Sequence, residues 1–173
     1  MVETSTRPTT GQRGEDGRGD TVRNSTSSPF VTFGLGGETY AIDVLQVQEV
    51  LKVPEIAPVP GAPSFILGII NLRGNVVTVL DARSRMGLDP QEPDDASRIV
   101  IIDIGDQNVG VLVDSVAEVV QIAADAIDAT PEVGNDESAR FIRGVTNTDD
   151  GLIIIINVNR LLSDDEWSAV SEI

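Results

Sequence analysis

Asp81 closes the apolar run Val76–Leu80, a setting in which a buried aspartate can share a proton with a second carboxylate. Such a dyad needs two acids, and the position equivalent to Asp81 in an internal repeat is Asn157. A satisfied polar residue at a strand end is the reading that remains. Gly34-Leu-Gly36-Gly37 follows an apolar run, as a phosphate-cradling loop does, but it leads into a second strand-like segment, Glu38–Asp43. An anion site would need a helix N-terminus there, so a hairpin turn is expected instead. The acid clusters Asp94-Asp95, Asp149-Asp150 and Asp164-Asp165-Glu166 lack the alternating spacing of a calcium loop and read as solvated turns and a helix start. There is no Cys and no His in the chain, which removes disulfides, thiol nucleophiles, imidazole bases, phosphohistidine chemistry and the commonest zinc ligands. No nucleophile and base pair suggests an enzyme, and no metal or cofactor site is expected.

The elements that carry these residues follow from composition. Hydrophobic residues make up 40% of the 173 but aromatics only 3%, so the core must be built from Val, Ile and Leu, which favours strands. Strands are predicted at 30–35, 38–43, 48–53, 66–71, 75–81, 98–104, 107–113, 117–122, 141–146 and 151–157, separated by Gly-Gly, Arg-Gly, Gly-Asp and Asp-Asp-Gly turns. Ser163-Asp-Asp-Glu166 has capping-box spacing and should open a short C-terminal helix within 163–173. Residues 1–28, poor in large apolar side chains, read as a disordered tail. No segment reaches the length of a membrane span and the start of the chain is polar, so a cytoplasmic protein without direct membrane insertion is expected.

Against 28 acidic residues stand 12 basic ones, of which only Lys52 is a lysine, giving a formal charge of −16. Nucleic acid is excluded as a partner on that balance. The same balance fits a protein of a halophilic archaeon with multimolar internal salt. At about 1 M salt the Debye length is about 3 Å, so recognition has to rest on short-range contact.

The chain also repeats itself. Shifted by 69 positions, residues 30–53 lie without a gap over 99–122, with Val47 on Val116, Glu49 on Glu118 and Val50 on Val119. Shifted by 76, residues 65–82 lie over 141–158, with Phe65 on Phe141, Gly68 on Gly144, Asn71 on Asn147 and Asp81 on Asn157. Two related five-stranded units follow, each the size of a small closed barrel. The expected boundaries are about 29–92 and about 96–162.

These segments carry a family resemblance: Tyr40-Ala-Ile-Asp43, Val47-Gln-Glu49-Val50, Ala57-Pro-Val-Pro60, then Phe65-Ile-Leu-Gly68-Ile-Ile-Asn71-Leu72-Arg73-Gly74 followed by Val79-Leu-Asp81. Val109-Gly110-Val-Leu-Val-Asp114 and Phe141-Ile-Arg-Gly144 continue it in the second half. The chain resembles the CheW chemotaxis coupling proteins over about 130 of its 173 residues, with a CheW-like domain at 29–167. The resemblance implies two SH3-like five-stranded β-barrels in an all-β protein that is monomeric when free. It implies no catalysis, and binding to both chemoreceptor (methyl-accepting chemotaxis protein) signalling tips and the histidine kinase CheA, whose regulatory domain shares the fold.

By the same resemblance a receptor helix docks in the groove between the barrels, at Val47, Glu49, Val50, Gly68, Asn71, Leu72, Arg73 and Ile99, and the kinase contacts the second barrel near Gly110 and Gly144. The repeat sharpens this assignment. Positions filled identically in both units, such as Val47, Glu49, Gly68 and Asn71, are required at least in part by the barrel. Leu72 and Arg73 correspond instead to Thr148 and Asp149, which makes Arg73 the strongest single candidate for a partner contact; the competing role is an internal salt bridge. Within the same fold the alternative is a regulatory adaptor that binds the kinase but not receptors. A small barrel for nucleic acid or ligand would want a basic stripe or stacking aromatics, which are lacking.

Overall fold

The computed structural model describes residues 26–105, 107–128 and 141–171. Among these described residues ten strands form: β1 (Ser27–Leu35), β2 (Glu38–Asp43), β3 (Val47–Lys52), β4 (Ile66–Leu72), β5 (Asn75–Asp81), β6 (Arg98–Asp103), β7 (Asn108–Val113), β8 (Ser115–Ala123), β9 (Ile142–Thr148) and β10 (Gly151–Ile156). Two α-helices also lie among the described residues, α1 (Ala82–Arg85) and α2 (Asp164–Ser171). Each expected strand is present within a few residues of its expected ends. β1 starts earlier than expected, because Ser27 and Ser28 already pair with Ala123 and Ile122 of β8. The rest of the expected tail, residues 1–25, lies outside the described residues.

Gly36 and Gly37 link β1 to β2 with φ of 58° and 86°, the doubly positive geometry of a two-residue hairpin turn, so the Gly34–Gly37 run is a turn. Asp81 and Asn157 also take the bland role. Asp81 Oδ1 accepts from the Arg83 N–H at 3.1 Å and Asn157 Oδ1 from the Asn159 N–H at 3.1 Å, each capping the short helical turn after its strand. Only the side-chain oxygen is used, which is why Asp and Asn are interchangeable there.

The strands assemble into two five-stranded sheets, ordered β9-β10-β2-β1-β8 and β3-β6-β7-β5-β4. Each sheet therefore draws on both repeats, which differs from the expectation of one barrel at about 29–92 and another at about 96–162. The exchange runs through two parallel pairings, β10 with β2 (Ile154 opposite Tyr40) and β5 with β7 (Val79 opposite Gly110). Sequence similarity shows which strands are equivalent but not which copy each one pairs with, since either pairing buries the same faces.

Each sheet is closed into a barrel by the segment that follows its edge strand. Ala57 exchanges backbone hydrogen bonds of 2.9 and 2.8 Å with Ile69, and Asp128 exchanges 2.8 and 2.9 Å bonds with Val145. At these two crossings the repeat places Gly68 and Gly144. A Cβ on Gly68 would lie 2.2 Å from the Ala57 carbonyl oxygen, and one on Gly144 2.6 Å from that of Asp128. Neither position admits a side chain, which gives the shared glycine its physical reason.

Strand β6 shows how the core is divided. Ile99 and Ile101 point into one barrel with Val79 and Leu112, while Val100 and Ile102 join a larger cluster between the barrels that includes Phe33, Leu35, Phe65, Phe141 and Leu161. A third cluster, with Phe30, Ile122 and Ile155, fills the other barrel. The two barrels thus share the largest apolar core of the molecule, and burial on both faces accounts for the uninterrupted Ile-Val-Ile-Ile run. Helix α2 opens with the expected capping box: the Ser163 N–H donates to Glu166 Oε1 at 2.7 Å, and the Glu166 N–H to Ser163 Oγ at 3.2 Å.

Candidate functional site at the barrel seam

The β4–β5 hairpin turns on Arg73 and Gly74, with φ of 52° and 90°. Such a turn favours Asn-Gly, and a non-glycine residue held there costs on the order of 1 kcal/mol. Asn71 supports it, its Oδ1 accepting from the Gly74 N–H at 2.8 Å. Arg73 then reaches across the seam where the sheet closes, from the end of β4 to Glu49 on β3. Its Nη1 donates to Glu49 Oε1 at 3.2 Å and its Nη2 to Oε2, a two-pronged pair. The hydrogen bonds from Arg73, aided by its charge, hold the Glu49 carboxyl below the usual value despite opposing desolvation, and Glu49 raises Arg73 in return.

The internal salt bridge that competed with the partner role is therefore formed. It does not bury the cation: the Arg73 side chain is 69% exposed against 28% for Glu49. A guanidinium used on one edge still presents N–H groups and a planar face to an incoming group.

Other members of the expected set divide by burial. Leu72 is half-buried beside Arg73, packed against the barrel interior, and Asn71 is exposed. On β3 a register shift between Val47 and Glu49 places Val47 opposite Ile102 and Glu49 opposite Ile101. Val47 packs on the core between the barrels, whereas Val50 is 39% exposed. Ile99 is fully buried inside the barrel and has no surface to offer, so its assignment to a partner contact is corrected: it is a core residue. Gly68, Gly110 and Gly144 are buried as well. A Cβ on Gly110 would stand 2.8 Å from Ile99 Cγ2, so that glycine makes room for the core and marks no loop approach. The structure brings Glu49, Leu72, Arg73 and the flanking Val47 and Val50 to the seam, and leaves Ile99 and the three glycines as scaffold.

One exposed residue next to the turn escaped the sequence reading. Val76 is 66% exposed and lines, with Leu72 and Arg73, a surface cavity of about 450 Å³. The signal was available: Asn75-Val76-Val77-Thr78 sets two valines side by side in a strand, and alternation must turn one outward. Its equivalent in the repeat, Leu152, is exposed too, at 45%. Among the described residues no group of three or more acids is placed to hold a metal ion.

Comparison with known proteins agrees with this architecture. A family model described as the CheW-like domain matches residues 29–166. The chain is 33% identical to the chemotaxis protein CheW of Bacillus subtilis over 153 residues, covering 88% of this chain and 98% of that protein. It is 29% identical to the probable chemotaxis protein CheW of Rhizobium etli over 146 residues, 84% of this chain and 94% of the relative. Among solved structures, the scaffolding protein TtCheW from Thermoanaerobacter tengcongensis superposes with a TM-score of 0.74 at 37% identity, over 82% of this chain and 96% of the other. Two closed barrels built from exchanged repeats, one shared core and a match running nearly the full length of these relatives place the chain in the CheW-like family.

Proposed function

We propose that this protein is a chemotaxis adaptor that couples chemoreceptor signalling tips to the histidine kinase CheA and catalyses nothing itself. The observation that carries the receptor half is the seam: an exposed guanidinium on a left-handed turn, set beside Leu72 and Val76 in a strongly acidic protein. A helix that lays small apolar residues on those side chains and presents a carboxylate or amide to Arg73 matches it in shape and charge. Val47, Glu49 and Asn71 fix the geometry of that contact. The kinase half rests on membership of the family. Among the described residues no helix is long and apolar enough to cross a membrane. The proposed place of action is the cytoplasmic side of a receptor array.

The reading is tested by immobilising a receptor signalling-tip fragment and, separately, the kinase regulatory domain, and passing the purified protein over both in high salt. Retention on both surfaces is expected. Arg73→Glu should lose at least about tenfold in affinity for the tip and keep its kinase binding. Kinase binding without any tip binding would favour the regulatory adaptor, and retention on neither surface would remove the adaptor reading.

A further inference from the structure

The C-terminal helix is pinned to the body twice. At its start Glu166, besides closing the capping box, accepts from Arg85 Nη1 and Nη2 at 3.1 and 3.3 Å. The Arg85 guanidinium in turn lies between two rings, 5.2 Å from the centroid of Phe65 and 5.0 Å from that of Phe141. These are the phenylalanines that the two repeats place at equivalent positions, so one cation ties both repeats to α2. The Arg85 side chain is 13% exposed, and its buried Nε–H has no hydrogen-bond partner, which leaves the aromatic faces and Glu166 to hold it.

The other end of α2 lies at the candidate site. Val170 is buried in the core between the barrels, and the Ser171 hydroxyl lies 3.4 Å from Gln107 Oε1. Val170 and Ser171 line the same 450 Å³ cavity as Leu72, Arg73 and Val76. The remaining wall is largely amide, from Gln48, Asn75, Gln107 and Asn108, and among the described residues Arg73 is the one charged residue lining it. In a protein of charge −16, the described residues of this cavity's lining include one cation and no carboxylate.

We infer that the C-terminal end of α2 forms a wall of the receptor-docking site, and that Arg85 and Glu166 are positioning residues that hold this wall against the Leu72–Arg73 turn. The inference rests on the receptor-binding reading above and names the occupant more closely. It is a helix whose docking face carries a carboxylate or amide for Arg73, amides for the Gln and Asn side chains, and a small apolar residue for Val76. A bulky or aromatic residue at the apolar position would collide with Val170 and Ser171.

The test measures affinity for the receptor-tip fragment, with kinase binding and melting temperature followed alongside. Ser171→Trp fills the cavity from an exposed position and should weaken tip binding at least about tenfold. Ser168→Trp, exposed elsewhere on the same helix, should leave it unchanged. Glu166→Gln keeps the capping-box acceptor and removes only the charge that faces Arg85, so a threefold to tenfold loss in tip affinity is expected with kinase binding intact. A purely structural role for Glu166 would instead weaken both partners together. If Arg73→Glu loses tip binding while Ser171→Trp binds as the parent does, or if both tryptophan variants weaken it alike, the inference is overturned and the receptor reading stands. If the parent protein fails to bind the tip, both are overturned.

Discussion

Arg73 forms an intramolecular pair with Glu49 and, in the proposed function, offers its exposed face to a partner; a charge swap separates the two roles. Glu49→Arg combined with Arg73→Glu can rebuild the pair with its polarity reversed. If the pair alone matters, the double variant should bind the receptor tip as the parent does. The partner role predicts that binding stays at least about tenfold weaker than the parent's in the double variant, because the exposed group facing the partner is now an acid. Glycine predictions belong at this scale as well. Gly68→Ala puts a methyl group 2.2 Å from the Ala57 carbonyl oxygen, and a loss of about 2 kcal/mol or more in urea unfolding is expected. Gly37→Ala meets nothing within 4 Å and pays only for its positive φ, so it should lose less than Gly68→Ala. How far single residues could be read from sequence follows from the same facts. Comparison of the repeats isolated Leu72 and Arg73, because an unshared residue at a shared turn is visible without coordinates. Ile99 was misassigned because nothing local distinguishes an isoleucine facing the barrel interior from its neighbours in a strand buried on both faces.

Among the elements, α2 offers a pH dependence with a definite sign. Burial alone would raise the Glu166 carboxyl, but hydrogen bonds from Ser163 and the charge and hydrogen bonds of Arg85 outweigh it and hold the pKa below the ordinary 4.5. A carboxyl whose folded pKa is depressed contributes stability that is fully present above its unfolded value and is lost as pH falls through the folded one. The parent protein should therefore melt higher than Glu166→Gln near neutral pH, and the difference should shrink below about pH 4.5 and vanish in stronger acid. A difference that does not change between neutral pH and acid would contradict the assignment. Ser163→Ala should cost about 1 kcal/mol through the lost cap. The helix, its capping box and all ten strands were legible because each depends on local pattern: alternation, turn glycines and S-x-x-E spacing. The docking of α2 was not. The partners of its glutamate and valine, Arg85, Phe65, Phe141 and the inter-barrel core, lie far away in the chain, and no periodicity encodes them.

At the scale of the whole molecule, the exchange of strands makes the two repeats interdependent. Each sheet needs strands from both, and the largest core lies between the sheets. Residues 26–92 and 96–171 produced separately should each lack a cooperative unfolding transition, and mixing them should restore one. Cooperative unfolding of either piece alone would contradict the exchanged topology. Such an arrangement suits an adaptor, because a contact on one barrel cannot loosen without disturbing strands that also build the other. The most direct test of the coupling itself is size-exclusion chromatography of the receptor-tip fragment with CheA, run with and without this protein. The account predicts a complex containing all three that forms only when the protein is present, and that with Arg73→Glu loses the tip while retaining the kinase. A tip and a kinase that never elute together in its presence, or that do so equally well without it, would contradict the account.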